Sequence, residues 1–347
     1  MSDSESFSKK ITQIPEKYRR SDYRTLIKKE SKLSSEAVRG KVVTSIGRVF
    51  FVLPDDSSDK SYSSLFECVA AGTMISGNQC STMIVVGDNV HFIKGMHNVK
   101  NNYPKGKIIK VEERKTSFSR KIAGKELEDV LASNIDNLIV FVSAVNPSYN
   151  RRLIDRYLVA AELGCLSPII CINKIDLISD DLLTEDFQTY QKLGIPVHFI
   201  SALNNINLSE FFYSIRNTNS LLSGPSGVGK STLINNIFSS DVQKVREISK
   251  KTSKGKHTTS ATNMFFLQEG GAIIDTPGLR EFGLSGIPKQ EICLYFHDFD
   301  ELFPNCKFLH CTHTHEPNCE VRNAYEKGLI DAQRYESYLN IFESIEE

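Results

Sequence analysis

The sequence predicts a multidomain α/β protein, with a β-barrel near the N-terminus, a parallel sheet flanked by helices in the middle and a small helical domain at the C-terminus. Three observations support this prediction. Short β-branched and aromatic segments separated by turn residues fill residues 38–114. Longer apolar runs alternate with helical patterns from about residue 134. Three cysteines crowd into residues 306–319 of a chain whose 347 residues suit two or three domains.

Residues 1–37 are polar, basic and weakly patterned, so we expect a flexible basic arm. The N-terminus lacks the apolar segment of a signal peptide. No apolar run approaches the roughly 20 residues that span a bilayer. We therefore expect a cytoplasmic protein with no membrane partner, and we expect a monomer.

The pattern of residues 38–114 contains about five short strands, which favours an OB-fold barrel. An SH3-like barrel or a plain antiparallel sheet has the same pattern, so both stay open. Residues 1–41 carry eleven Lys or Arg against six Asp or Glu, and residues 94–125 carry ten against two. Basic surface beside a small barrel indicates a polyanionic partner such as RNA, and the alternative is a solvated charged surface.

A phosphate-binding loop lies in the middle domain, between a short apolar segment and a helical one. Its residues match the pattern G-x-x-x-x-G-K-[ST] in full. The glycines let backbone N–H groups converge on phosphates, Lys230 reaches the β- and γ-phosphates, and the Ser231 hydroxyl ligates Mg²⁺. Thr232 either binds or only packs. The predicted phosphate-binding residues are Gly224, Pro225, Ser226, Gly227, Val228, Gly229, Lys230, Ser231 and Thr232.

A second motif specifies the base. Asn173, Lys174, Ile175 and Asp176 form an Asn-Lys-x-Asp string at the end of a buried apolar segment. The Asp176 carboxylate accepts hydrogen bonds from N1–H and the 2-amino group of guanine, whereas adenine offers neither donor, so the motif selects guanine. Asn173 is suited to bracket the loop and the base, and Lys174 to lie over the ring. Ser201 and Ala202, after the next apolar segment, match the supporting guanine loop of GTPases.

A third element surrounds the γ-phosphate. Asp275 ends an apolar segment, where it can hold Mg²⁺ through water, and the Gly278 amide can approach the γ-phosphate. Between the phosphate loop and Asp275 lies a basic loop with Thr258 and Thr259. Either threonine is a candidate for the switch residue that senses Mg²⁺ and the γ-phosphate, with Thr258 preferred as the Mg²⁺ ligand. A merely solvated loop is the alternative.

Hydrolysis also needs a residue that orients water. Leu279 occupies the position after Asp-x-x-Gly where Ras-like GTPases place Gln, and its side chain cannot do so. His257 is the nearest polar candidate. The alternative for His257 is a loop histidine that contacts an RNA phosphate.

The order of the motifs is permuted. In ordinary GTPases the motifs follow the order phosphate loop, switch threonine, Asp-x-x-Gly, Asn-Lys-x-Asp and Ser-Ala. In this chain the order is Asn-Lys-x-Asp, Ser-Ala, phosphate loop, threonines and Asp-x-x-Gly. We therefore predict a circularly permuted GTPase domain over residues 115–285. In this order the segment after Asp275 leads into the C-terminal region, so we expect the nucleotide state to be communicated to that region.

The C-terminal region, residues 286–347, contains a set of three cysteines and one histidine: Cys306, Cys311, His313 and Cys319. Three thiolates and an imidazole suit one closed, tetrahedral, structural Zn²⁺ site. His310 and His315 are rival ligands. We expect the metal to fold a small helical domain that lacks a core of its own.

The permuted order, the preceding barrel and the Cys₃His spacing together resemble the RsgA (YjeQ) family of bacterial ribosome small-subunit biogenesis GTPases, over about residues 38–330. The resemblance implies an OB-fold, binding to the 30S subunit and its 16S rRNA late in maturation, and GTP hydrolysis to GDP and phosphate that is slow alone, stimulated by the subunit and coupled to release. It also implies that His257 positions the water. The alternative is a GTP-dependent module that binds tRNA or mRNA and hydrolyses GTP incidentally.

Overall fold

The structure is a computed structural model, and it describes residues 36–58, 62–75, 84–95, 103–121, 128–178, 182–238, 241–242, 261–276, 284 and 287–345. Nearly all of the predicted N-terminal arm lies outside these ranges. Within them, no helix is long and apolar enough to cross a membrane.

Five strands close the N-terminal barrel: β1 (Ala37–Ile46), β2 (Val49–Pro54), β3 (Phe66–Ile75), β4 (Asn89–Lys94) and β5 (Lys105–Val111). Their order is β1-β2-β3-β5-β4, and β4 returns to pair with β1. Strands β3 and β5 run parallel, whereas the other neighbours run antiparallel. This Greek-key closure confirms the OB-fold over the two alternatives.

The barrel is filled by β-branched and aromatic side chains. Val42, Val52, Val90, Phe92 and Ile108, one or two from each of four strands, are fully buried. A two-stranded antiparallel sheet, β6 (Ser117–Lys121) and β7 (Glu128–Ser133), follows the barrel. It leads the chain into the central sheet.

The central sheet contains β8 (Asn137–Ser143), β9 (Ser167–Asn173), β10 (Val197–Phe199), β11 (Asn219–Ser223), β12 (Thr262–Phe266) and β13 (Ala272–Asp275). Its order is β10-β9-β8-β11-β13-β12, with only β12 antiparallel to its neighbour. All seven residues of β8 are buried, as a parallel strand covered on both faces requires. Among the described residues, the helices beside this sheet include α1 (Arg151–Leu163), α2 (Leu182–Lys192), α3 (Leu208–Ser214) and α4 (Lys230–Ile237).

The barrel and the central sheet are continuous. Strand β1 pairs with β12, with Thr44 opposite Asn263 and Ser45 opposite Thr262, so that eleven strands form one sheet. The buried Tyr62 of the barrel also donates a hydrogen bond to the Met264 carbonyl, at 2.6 Å. The barrel is therefore attached to the edge strand next to β13.

The C-terminal region contains short 3₁₀ turns over Lys289–Tyr295, His297–Phe299 and Phe303–Asn305, then α5 (Glu320–Glu326) and α6 (Ala332–Ser344). The prediction that it lacks a core is wrong. Phe296, Phe299 and Tyr338 are almost completely buried and contact one another, with ring centroids 5.1–5.5 Å apart. Helix α6 and the Lys289–Tyr295 turn pack against α1 of the central domain, which the sequence pattern did not indicate.

Candidate functional site

The phosphate loop joins β11 to α4, as its flanking patterns predicted. Gly229 has a φ of 102°, and a Cβ atom there would lie 2.3 Å from the Asn173 Nδ2. A Cβ atom on Gly224 would lie 1.9 Å from the Phe141 carbonyl oxygen. Only glycine satisfies both positions, since the backbone has to approach β8 and β9 closely. The loop is thereby held against the ends of two neighbouring strands.

Lys230 is the first residue of α4, and Asp275 ends β13, the strand paired with β11. The charges of the two side chains interact. The Lys230 ammonium donates hydrogen bonds to the Gly224 and Pro225 carbonyls, at 2.6 and 2.5 Å. Burial lowers the pKa of Lys230, and the Asp275 carboxylate opposes that effect. Burial likewise raises the pKa of Asp275, and the Lys230 ammonium opposes it. The pair forms a desolvated, oppositely charged site at the edge of the sheet.

The donors around this site suit a small hard cation. Ser231 lies in the first turn of α4 with its side chain exposed, and Asp275 ends β13. Mg²⁺ prefers carboxylate and hydroxyl oxygens together with phosphate oxygens and water. These residues therefore fit the Mg²⁺ that accompanies a nucleoside triphosphate.

Asn173 holds two loops together. Its side chain is buried, its Nδ2 donates to the Val228 carbonyl of the phosphate loop at 2.8 Å, and its Oδ1 accepts from the Ala202 N–H at 2.8 Å. The amide has one donor face and one acceptor face, so a single Asn holds the phosphate loop and the Ala202 loop in fixed relation. The sequence predicted that Asn173 brackets the phosphate loop and the base, and its contact with the base stays a prediction.

Lys174 adopts the left-handed backbone conformation, with φ 65°, and its ammonium spans the phosphate loop. It donates to the Gly227 carbonyl at 2.7 Å and also to the Asn146 carbonyl. Asp176 follows in a short 3₁₀ turn over Ile175–Leu177. In the described part of the chain, the Asp176 side chain has no recorded hydrogen bond, so its two oxygens are available to a guanine base.

The Ala202 loop is held by contacts that the sequence pattern did not reveal. Ser201 is buried and its Oγ accepts from the Asn204 N–H, at 3.1 Å. Asn236, on α4, donates from Nδ2 to the Ala202 carbonyl at 2.6 Å. Nothing in the sequence singled out Asn236 or Asn146, because both contacts depend on how loops distant in the chain pack together.

Four predicted site residues, His257, Thr258, Thr259 and Gly278, lie outside the described residues. Their roles stay predictions. The described residues on either side are Val242, Ala261 and Thr276.

The structure brings Cys306, Cys311, His313 and Cys319 together, with one potential ligand atom from each inside a cluster whose atoms all lie within 4.8 Å of one another. The Cys306 Sγ lies 3.6 Å from the His313 Nδ1 and 3.9 Å from the Cys319 Sγ. Ligand atoms around a tetrahedral zinc lie roughly 3.6 to 3.8 Å apart. The four residues therefore fit a metal, whereas the rival His310 and His315 are exposed and stand outside the cluster.

Neighbouring polar groups hold the cluster in shape. The Glu316 carboxylate accepts from the Thr312 N–H at 2.7 Å and from its hydroxyl at 2.6 Å. The Tyr335 hydroxyl donates to the His313 carbonyl, at 2.7 Å. Such outer contacts orient metal ligands before the metal binds.

A phosphate loop, an Asn-Lys-x-Asp turn and an Asp at a strand end, assembled on one parallel sheet in permuted order, define a circularly permuted GTPase. The chain belongs to the RsgA GTPase family, whose model matches residues 111–285. The expected family is thereby confirmed, and with it the chemistry, the hydrolysis of GTP.

Two relatives match over nearly their full length. A protein of Chlorobaculum parvum named small ribosomal subunit biogenesis GTPase RsgA is 38% identical over 318 residues, covering 90% of this chain and 100% of that protein. A protein of the same name from Phocaeicola vulgatus is 36% identical and covers 89% of this chain and 98% of its own.

Two solved structures are similar. YjeQ from Thermotoga maritima has a TM-score of 0.65 and 28% identity, covering 88% of this chain and 97% of its own. YloQ, described as a circularly permuted GTPase, has a TM-score of 0.63 and 27% identity, covering 88% of this chain and 94% of its own.

Proposed function

We propose that this GTPase binds the small (30S) ribosomal subunit late in its maturation, that the subunit stimulates GTP hydrolysis, and that hydrolysis drives release. One observation carries the proposal: the OB-fold barrel is continuous with the sheet edge beside Asp275. An RNA contact at the barrel is thereby linked to the γ-phosphate side of the site. The names of the relatives refer to the biogenesis of the small ribosomal subunit, which supports ribosomal RNA as the partner.

The distribution of charge supports 16S rRNA as the polyanionic partner. Ion pairs reduce the number of basic side chains that can contact it. Four cations of the stretch 94–125 are neutralised by ion pairs: Lys94 with Asp56, Lys105 with Glu67, Arg114 with Asp88 and Arg120 with Asp129. Lys107, Lys110 and Lys115 are exposed and, within the described ranges, stand in no recorded ion pair. These three lysines are the candidates for phosphate contacts.

We infer that guanine nucleotide binds with Asp176 on the base, Asn173, Lys174 and the Ser201–Ala202 loop around it, and residues 224–232 on the phosphates. Lys230 places its ammonium at the β- and γ-phosphates. Ser231 and Asp275 hold Mg²⁺, which neutralises the charge that develops on the phosphate oxygens. Either Thr258 or Thr259, with Gly278, senses the γ-phosphate, and His257 orients the attacking water once RNA engages its loop.

We further propose that the cluster in the C-terminal region holds one structural Zn²⁺. We also propose that the domains divide at residues 38–114, 115–285 and 286–347. The protein is proposed to be cytoplasmic and monomeric.

Single-turnover GTP hydrolysis, measured with and without purified 30S subunits, tests it. We expect 30S subunits to stimulate hydrolysis strongly. We also expect the protein to leave the subunit after hydrolysis, which sedimentation measures. Equal rates with and without subunits, together with GTP-dependent binding to isolated tRNA or mRNA, would instead identify the RNA-binding module.

A further inference from the structure

The barrel and the central sheet meet in a two-residue seam between β1 and β12. Thr44 lies opposite Asn263 there, and Asn263 lies opposite Asp275 on the other side of β12. Directly paired residues of antiparallel strands point their side chains to the same face, with Cβ atoms about 4.5–5.5 Å apart. The three side chains therefore form one polar row that runs from the barrel to the end of β13.

Two polar atoms of this row are buried and have no hydrogen-bond partner in the described structure. They are the Thr44 Oγ1 and the Asn263 Oδ1. Thr44 is fully buried and Asn263 is 7% exposed. Native proteins seldom keep such atoms unpaired. The two are complementary, because a hydroxyl donates and an amide oxygen accepts.

Strand β12 is attached on both sides of this row. The Tyr62 hydroxyl of the barrel donates a hydrogen bond to the Met264 carbonyl at 2.6 Å. The bond from the Asn263 Nδ2 to the Ala261 carbonyl, at 3.1 Å, lies within the chain segment of β12 and orients the Asn263 side chain. On the opposite edge, β12 pairs with β13 at four consecutive residues, from Phe266 to Asn263. A displacement of the barrel therefore moves β12, and β12 carries Asp275 with it.

We propose that Asn263 is a positioning residue through which the barrel determines the position of the Asp275 carboxylate. Thr44 and Asn263 form a latch, meaning a pair of side chains with two arrangements. In one arrangement, the two side chains form no hydrogen bond with each other. In the other, the Thr44 hydroxyl donates a hydrogen bond to the Asn263 Oδ1. RNA contact at the barrel closes the latch and moves the Asp275 carboxylate. The identity of that RNA rests on the proposed function, whereas the link from Thr44 to Asp275 does not.

The first experiment needs no RNA. In Thr44→Cys/Asn263→Cys, a disulfide closes the seam reversibly and draws the two strands together, because it needs a Cβ separation of about 3.5–4.5 Å, less than that of most directly paired strand residues. Release of a fluorescent GDP analogue is measured against Mg²⁺ concentration, in oxidised and reduced protein. We expect oxidation to shift the half-effective Mg²⁺ concentration about fivefold, the effect of one hydrogen bond.

Ser45→Cys/Thr262→Cys is the matched control. It closes the same seam one residue further along, where Thr262 has no recorded partner on β13, so its Mg²⁺ dependence should stay within error of the reduced protein. The same oxidant also controls for damage to the native cysteines. An oxidised Thr44→Cys/Asn263→Cys protein with unchanged Mg²⁺ dependence overturns the latch.

The second experiment adds 30S subunits to Thr44→Val, which keeps the β-branched shape and removes the hydroxyl. We expect unchanged turnover of the free protein, unchanged subunit binding and about fivefold less stimulation. A purely structural role for Thr44 predicts altered melting and full stimulation, which overturns the latch. If 30S subunits fail to stimulate the wild type while the disulfide still shifts the Mg²⁺ dependence, the proposed function fails and the latch stands.

Discussion

Arg334, near the start of α6, places its Nη1 2.6 Å from the Asp155 Oδ1 of α1, and both side chains are sealed from solvent. The same guanidinium also reaches Asp298 at 2.5 Å, and Tyr190 donates its hydroxyl to Asp155 at 2.9 Å. Through this network the C-terminal domain is fastened to the helix that follows β8. The permuted order predicted communication with the C-terminal region through the segment after Asp275; the structure adds a second contact, through α1.

Removal of one partner from this network should be strongly destabilising. Arg334→Met leaves the Asp155 carboxylate buried and unpaired, and we expect a loss of about 3–5 kcal/mol in the free energy of unfolding by urea denaturation. Arg152→Met breaks the exposed ion pair with Glu336, so it should cost about 0–1 kcal/mol. Equal effects of the two changes would show that the buried pair does not hold the domains together.

Base selectivity should reside in Asp176. Asp176→Asn replaces two acceptors by one acceptor and an NH₂ donor, which clashes with the guanine 2-amino group and suits the C2 carbonyl of xanthine. We expect GTP affinity to fall by roughly 10²-fold or more and XTP affinity to rise, by fluorescence titration. Using both nucleotides on one variant controls for misfolding, because a misfolded protein loses both. Unchanged preference for GTP would remove Asp176 from the base site.

Metal loss should destabilise the C-terminal domain. We expect one Zn²⁺ per chain by elemental analysis, and we expect Cys319→Ser to lose it and to lower the melting temperature, because the metal ties α5 to the loop of residues 306–313. Cys165→Ser, at an exposed cysteine far along the chain from the cluster, is the control and should keep the metal. A stoichiometry that Cys319→Ser leaves intact would contradict the site.

RNA contact should use the exposed lysines of β5. Lys110→Glu is expected to weaken 30S binding and to reduce the slope of log affinity against log salt by about one, because one phosphate contact is lost. Lys192→Glu, at the end of α2, changes charge equally at an exposed lysine of the central domain, away from the barrel, and should leave both unchanged. If both variants weaken 30S binding equally, the effect comes from the net charge of the protein and not from a contact at β5.

His257 should matter only on the ribosome. If it orients the attacking water, His257→Ala should lower subunit-stimulated turnover by roughly 10²–10⁴-fold and leave 30S affinity intact. A residue that merely contacts RNA phosphate would show the reverse, with weaker binding and little change in turnover at saturating subunit. Single-turnover rates across a range of subunit concentrations separate these outcomes.

The sequence by itself determined the α/β class, the permuted GTPase domain and the identity of the nucleotide, whereas the type of the N-terminal barrel was decided by its strand order. Gly229, Asn173 and Asp275 could be read from local patterns, because a tight glycine turn, a strand-end amide and a strand-end carboxylate are each specified by a few adjacent residues. The Cys₃His set could be predicted from the sequence for the same reason, because its ligands lie within one short segment.

Only the tertiary structure decided how the domains are joined. The Thr44–Asn263 seam, the Arg334–Asp155 pair and the contact of Asn236 with the Ala202 loop each link residues that are distant in the chain. Their side chains are ordinary in sequence and acquire a role only when packing removes them from water and places a complementary group opposite. The aromatic core of the C-terminal domain belongs here too, because Phe296, Phe299 and Tyr338 meet only once α6 folds back over the turns that precede the metal ligands.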